Sequence, residues 1–333
     1  MSCLSRLLTF TLLTVAVAAT APMSTAEAQD YPTKPVRLVV PFPPGGGTDL
    51  VGRAIAQQLT GPLGQPVVVE NRAGGAASIG ANAVATAPAD GYTLLMGAIT
   101  VHATWLALRA QNPTAAPTFD LDRSFSPVAL VASIPSVIAV NPKVSAQSLT
   151  ELISLAKNKP GALSLASSGN GALTHLAGEM FQKMTGVSLL HVPYKGVGPA
   201  LVDLVGGQVD LIITDVAATG PHIQSGKLRA LALLADRRIA TLPTIPTAAE
   251  AGLPGFDVTA TLGILAPAGT PEPIVTKLNA ILRAIPDNAE LREALLKQGV
   301  VAMHASPEQT TVQIRKELAL WSRVVRDANI KPD

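Results

Sequence analysis

Val39-Val40-Pro41-Phe42-Pro43-Pro44-Gly45-Gly46-Gly47-Thr48-Asp49 runs from β-branched residues through prolines and glycines into the apolar pattern of a helix. The chemistry of this run reads as a strand, a tight loop and a helix N-terminus. Proline has no N–H to give a sheet ladder, so the strand stops at Pro41. Glycine permits positive φ and lets a ligand approach the backbone. Thr48 is the expected cap, and the first free N–H groups of the helix face whatever fills the loop. Such a place suits an anion, above all a carboxylate. A purely structural βα turn fits the same residues.

Outward from this loop, strands and helices alternate. Strands are expected at 36–40, 67–69, 92–96, 128–132, 136–140, 163–166, 188–192, 209–213, 228–234 and 262–266. Helices are expected at 50–59, 78–87, 148–157, from 172 to 184, after Gly198-Pro199, from Thr270-Pro271 and at 291–296. The last helix opens on Ser306-Pro307-Glu308-Gln309, a cap with a capping-box Gln, and shows Ile314, Leu318, Trp321 and Val325 on one face. Residues 109–127 read as a long surface excursion. The alternation predicts an α/β architecture with parallel sheets. Val192-Pro193-Tyr194-Lys195-Gly196 echoes the opening run: strand end, Pro, aromatic, Gly turn, helix. Two similar α/β domains with facing carboxyl edges would explain the echo, and ligands of open α/β sheets bind at such edges. Chance similarity over so few residues is the alternative.

Composition narrows the function. At 333 residues the chain has the length of two domains. Aromatics are only 3%, too few for base stacking, and a net charge of +2 without a basic cluster does not suit a phosphate backbone. No nucleic-acid partner is expected. Arg6, the apolar run 7–19 and Ala26-Glu27-Ala28 have the layout of a secretory signal peptide, cleaved near Ala28. Its apolar core is short for a membrane span. Residues 1–28 are therefore expected to leave the mature chain, taking Cys3, the only cysteine, with them. With no second long apolar segment, the mature protein is expected to be soluble and monomeric.

Motifs for catalysis do not assemble. There is no G-x-S-x-G elbow, P-loop or G-x-G-x-x-G fingerprint, and Ser154-Leu155-Ala156-Lys157 matches S-x-x-K without its partner motifs. His175 and Glu179 share a helix face as a structural pair; no metal site or cofactor is expected. Asp215 follows an apolar strand directly and reads equally as a turn-starting residue or a cleft-edge polar group. The loop Ser167-Ser168-Gly169-Asn170-Gly171 joins a strand to a helix, as the opening loop does. It reads as a capped turn or as a carboxylate ligand.

Together, Tyr31–Pro35, Val40–Asp49, Gly64–Arg72, Asp90–Leu95, Gly169–Gly171, His191–Gly196, Pro221–Ile223 and Leu265–Pro271 give the mature chain a resemblance to a known family. It resembles the Bug family of periplasmic solute-binding proteins, receptors of tripartite tricarboxylate transporters. The resemblance implies a type II periplasmic-binding-protein fold, two α/β domains joined by crossing strands around a ligand cleft. Residues 29–130 with 254–333 would form one domain and 131–253 the other. It implies a periplasmic receptor, not an enzyme, that closes on a small di- or tricarboxylate, acidic amino acid or similar acid and passes it to membrane transporter subunits. A sensor signalling through a membrane partner and, behind it, a secreted α/β hydrolase are the alternative readings. The family's ligand loops map onto Phe42, Pro44, Gly45, Gly46, Gly47 and Thr48, onto Ala98 and Thr100, onto Ser167, Ser168, Gly169, Asn170 and Gly171, and onto Thr214 and Asp215. Many relatives carry Asp where this chain has Thr214, and an aromatic pair where it has Thr261 and Leu262. An aromatic ligand stacked at that last position is therefore disfavoured.

Overall fold

A computed structural model describes residues 31–112 and 118–330. The expected signal peptide, residues 1–28, lies outside the described residues.

The opening strand β1 (Val36–Val40) is apolar and buried except at Arg37. It lies between β2 (Val67–Asn71) and β3 (Thr93–Ala98), parallel to both. Helix α1 (Gly47–Leu63) follows β1 and α2 (Ser78–Ala85) follows β2. α3 (Ile99–Arg109) grows directly out of β3. β4 (Phe125–Val140) is a single continuous strand where two were expected. Its first part, Phe125–Pro135, pairs antiparallel with β9 (Thr259–Pro267). Its last part, Ser136–Val140, pairs antiparallel with β7 (Leu211–Asp215) and β8 (Arg229–Leu234). The handover falls at Pro135, which suits a residue that cannot donate to a ladder.

Beyond the handover, α4 (Leu149–Asn158) starts on Ser148, whose side chain accepts from Glu151 N as the sequence predicts. Then come β5 (Ser164–Ser167), α5 (Leu173–Thr185), β6 (Leu190–Pro193) and α6 (Val197–Gly206). β5 is parallel to β6 and β7. α7 (Val216–Gln224) follows β7. After β9 come α8 (Glu272–Leu282), α9 (Ala289–Lys297), β10 (Val301–Ala305) and α10 (Pro307–Asp327). The strand order is β2-β1-β3-β9-β4-β7-β5-β6, with β8 and β10 also on β4. The sheet is mixed rather than parallel throughout, because β4 and β9 run against their neighbours and stitch the two parallel sets together.

α10 carries the full capping box at Ser306 and Gln309. It buries Ile314, Trp321 and Val325, three of the four residues expected on its docking face, with Leu318 packed beside them. Its buried Glu317 accepts from Trp321 Nε1 at 2.7 Å and Gln313 Nε2 at 2.9 Å. Burial pushes that carboxyl up, only partly offset by these donors.

Candidate functional site

The opening loop is held from behind. Asp49 is buried, and its carboxylate accepts from Gly45 N at 2.9 Å, Arg53 Nε at 2.9 Å and Asn71 Nδ2 at 2.8 Å. Asn71 Nδ2 also donates to Phe42 O at 3.1 Å. Burial pushes the Asp49 carboxyl up, but the hydrogen bonds from Arg53, Gly45 and Asn71 outweigh it and hold it below its ordinary value of 3.8. The expected cap, Thr48, is already inside α1, and Gly46 occupies the N-cap without a side-chain bond. Asp49 is thus an internal brace that fixes Phe42 at the end of β1.

Facing it, the β5–α5 loop makes most of its hydrogen bonds internally. Ser168 N donates to Thr174 Oγ1 at 2.8 Å, Gly169 N to Ser167 Oγ at 3.2 Å and Gly171 N to His175 Nδ1 at 3.0 Å. Because His175 Nδ1 accepts, its proton sits on Nε2, 3.6 Å from Glu179 Oε1. The His175 ring stacks on His191 at 3.9 Å, and His191 Nε2 lies 2.6 Å from Ser167 Oγ. Burial, then the neighbouring His175, lowers the His191 pKa, with Glu179 opposing. This serine–histidine contact has the spacing of a catalytic pair, but Ser167 is fully buried beneath the loop. It supports the loop rather than facing a ligand.

Between the two loops lies a cavity of about 520 Å³. Phe42, Ser168, Gly169, Asn170, Gly171, Thr214 and Asp215 all stand on its wall. Pro44, Gly45, Gly46, Gly47 and Thr48 do not; they form the loop and first turn of α1 that Asp49 braces. Ala98 and Thr100 are buried off the wall, with the Thr100 hydroxyl accepting from Thr261 N at 3.1 Å and lying 3.3 Å from Thr259 O. Asp215 caps α7 by accepting from Ala218 N at 2.8 Å.

The remaining wall was not anticipated. Val101, Thr104, Trp105 and Leu108 come from one face of α3. Their spacing of three and four was the available signal. Ile134 comes from β4, and Val258 directly precedes β9. Leu108 also reaches the opposite loop: a Cβ on Gly171 would fall 2.8 Å from Leu108 Cδ1. Ala76, on the wall, and Ala77 beside it have φ of 50° and 71°, a left-handed turn that side-chain-bearing residues adopt under strain. No cluster of three or more His, Cys, Asp or Glu suited to a metal occurs among the described residues.

Comparison with known proteins supplies the biological frame. Residues 51–330 match the family described as the tripartite tricarboxylate transporter family receptor. Protein BugT of Bordetella pertussis is 40% identical over 312 residues, 93% of each chain. The periplasmic binding protein BugD superposes with a TM-score of 0.73 at 36% identity, over 91% of this chain and 100% of that one. An R. palustris protein solved with adipate gives 0.75 at 36% identity, over the same shares.

Proposed function

This chain belongs to the tripartite tricarboxylate transporter receptor family, and from that premise we propose that it is a periplasmic, non-catalytic receptor that captures a small carboxylate and delivers it to the membrane subunits of such a transporter. The observation that carries this reading is the cavity itself. It is walled on one side by Phe42 and α3 and on the other by the β5–α5 loop and the end of β7, with β4 and β9 crossing between. The Ser168 and Thr174 hydroxyls and the leading N–H groups of α5 are suited to a carboxylate. The two lobes of the proposal are residues 29–130 with 254–333, and residues 131–253. A ligand touching both favours the closed state over the open one, which is how binding becomes closure. Export with removal of residues 1–28, and a monomeric mature chain, complete the proposal.

A thermal-shift panel of carboxylic acids on the mature protein tests it. A binding acid at a hundredfold excess over its Kd stabilises the fold by about 2.7 kcal/mol, and scattering should show compaction with that acid. If no acid shifts the melting temperature, the carboxylate-receptor reading fails.

A further inference from the structure

The loop that walls one side of the cavity is anchored on a histidine, and its hold depends on that histidine being neutral. Ser168, Gly169, Asn170 and Gly171 stand on the wall. Gly171 N donates to His175 Nδ1 at 3.0 Å, a bond that exists only while Nδ1 carries a lone pair. His175 lies in the first turn of α5 with 12% of its side chain exposed. We propose that His175 is a positioning residue for the cavity: its neutral ring holds the β5–α5 loop in place through Gly171, and a proton taken up on Nδ1 lets the loop go. The brace belongs to the loop alone; its use in releasing a bound acid rests on the receptor reading above.

The surroundings make this ring the one that charges. Its Nε2 lies 3.6 Å from Glu179 Oε1, one turn along α5, close enough to favour an imidazolium. A proton on Nδ1 then sets an N–H against the Gly171 N–H, two donors facing each other, and leaves a cation beside a carboxylate. His191 stacks on the same ring, with centroids 3.9 Å apart and planes 2° from parallel. Burial and then His175 lower the His191 pKa, with Glu179 opposing, so a charge on one ring opposes a charge on the other. His191 Nε2 also lies 2.6 Å from Ser167 Oγ, which accepts from Gly169 N at 3.2 Å. Two amides of the loop, Gly169 and Gly171, are thus held by a pair of rings that takes one proton more readily than two.

The other charges around the loop are engaged or directed elsewhere. Glu179 and Lys183 of α5 line a hollow with Arg323 and Asp327 of α10, two of each sign. β5 carries no ionisable side chain, and on β6 His191 is the one ionisable residue. Tyr194 packs with Ala166 and Val192 on the other face of the sheet, where its hydroxyl donates to Asp203 Oδ2 at 2.7 Å. Lys195 is exposed, in the turn whose Gly196 N donates to Ser168 O at 3.2 Å. Across the cavity Asp215 caps α7, and Arg109 lies over Trp105. Histidine is the side chain whose charge changes in mildly acid water, so the loop answers to pH through His175.

Hydrogen exchange of the Gly171 amide in the mature protein, read by NMR and corrected for the intrinsic pH dependence of exchange, tests the proposal without any ligand. Protection should fall at least tenfold between pH 7.5 and pH 5.0. Nitrogen-15 spectra of His175 should show Nδ1 bare at the higher pH and protonated where protection is lost. His175→Asn is the decisive variant, because its Oδ1 can replace Nδ1 as the acceptor and does not titrate. Its protection should stay within threefold over the same interval, although the rest of the molecule meets the same acid. His175→Phe should lose protection at both pH values. A native Gly171 that stays protected at pH 5.0, or a fall in His175→Asn as large as the native one, would overturn the proposal. If neither variant folds, the native protein decides: loss that coincides with Nδ1 protonation supports the brace, and loss without it overturns it. Since no ligand takes part, either result leaves the receptor reading to its own test.

Discussion

His102 shows how much one buried side chain can set the acid limit of this protein. It sits on α3 with no exposed surface, edge-on to Phe119 at 5.7 Å, and neither ring nitrogen has a hydrogen-bond partner. Burial lowers its pKa from 6.5 to about 4. Between those values the unfolded chain takes up a proton that the folded protein refuses, so stability falls as pH drops from about 6.5 to about 4. Refusing that proton across the whole interval costs the folded state about 3 kcal/mol. Urea unfolding at pH 7 and pH 4.5 should show most of this loss in the native protein and a much smaller one in His102→Leu; equal losses would clear His102 of the role. The glycines of the opening loop also divide at this scale. Gly45 has φ 87°, which only glycine adopts freely, whereas Gly46 sits at −79°. The run Gly45-Gly46-Gly47 carries no local mark that separates them.

At the scale of elements, the β1–α1 loop depends on a residue that reads from sequence as a helix-start acid. Asp49 does lie in the first turn of α1, but its carboxylate is engaged by Gly45, Arg53 and Asn71. Asp49→Ala would leave the Gly45 N–H without this acceptor and one donor bond of Asn71 unmade. It should destabilise the fold by about 2–3 kcal/mol, measured by urea unfolding at pH 7. An unchanged midpoint would mean that the loop is held otherwise. Strand β1, the cap of α4 and the capping box of α10 were legible because each is written in a few adjacent residues. α3 was not. The chain passes from β3 into it at Ala98-Ile99, its one glycine, Gly97, still lies within the strand, and the apolar run across the junction does not declare its period. β4 read as two strands because Ser133-Ile134-Pro135 resembles a break, yet antiparallel pairing to β9 carries the strand through it.

Across the whole molecule, the contact of Leu108 with Gly171 joins α3 to the β5–α5 loop over the cavity. Gly171 has φ 70°, and any Cβ there would meet Leu108 Cδ1 at 2.8 Å. Gly171→Val should therefore cost ligand affinity at least tenfold and prevent ligand-dependent compaction in scattering, while circular dichroism stays native. Compaction equal to that of the native protein would show that closure does not use this contact. The sequence by itself determined the order of most elements, several of their caps and the family, since turns, caps and periodicity are local properties of the chain. Only the tertiary structure decided which of those elements face the cavity. Phe42, Trp105, Gly171 and Asp215 are far apart in the chain and meet only when β4 and β9 cross. The loop N–H groups that composition offered to a ligand proved committed elsewhere, Gly45 to Asp49 and Gly171 to His175. A donor's availability depends on every acceptor that folding brings near it, and no local stretch of sequence contains that information.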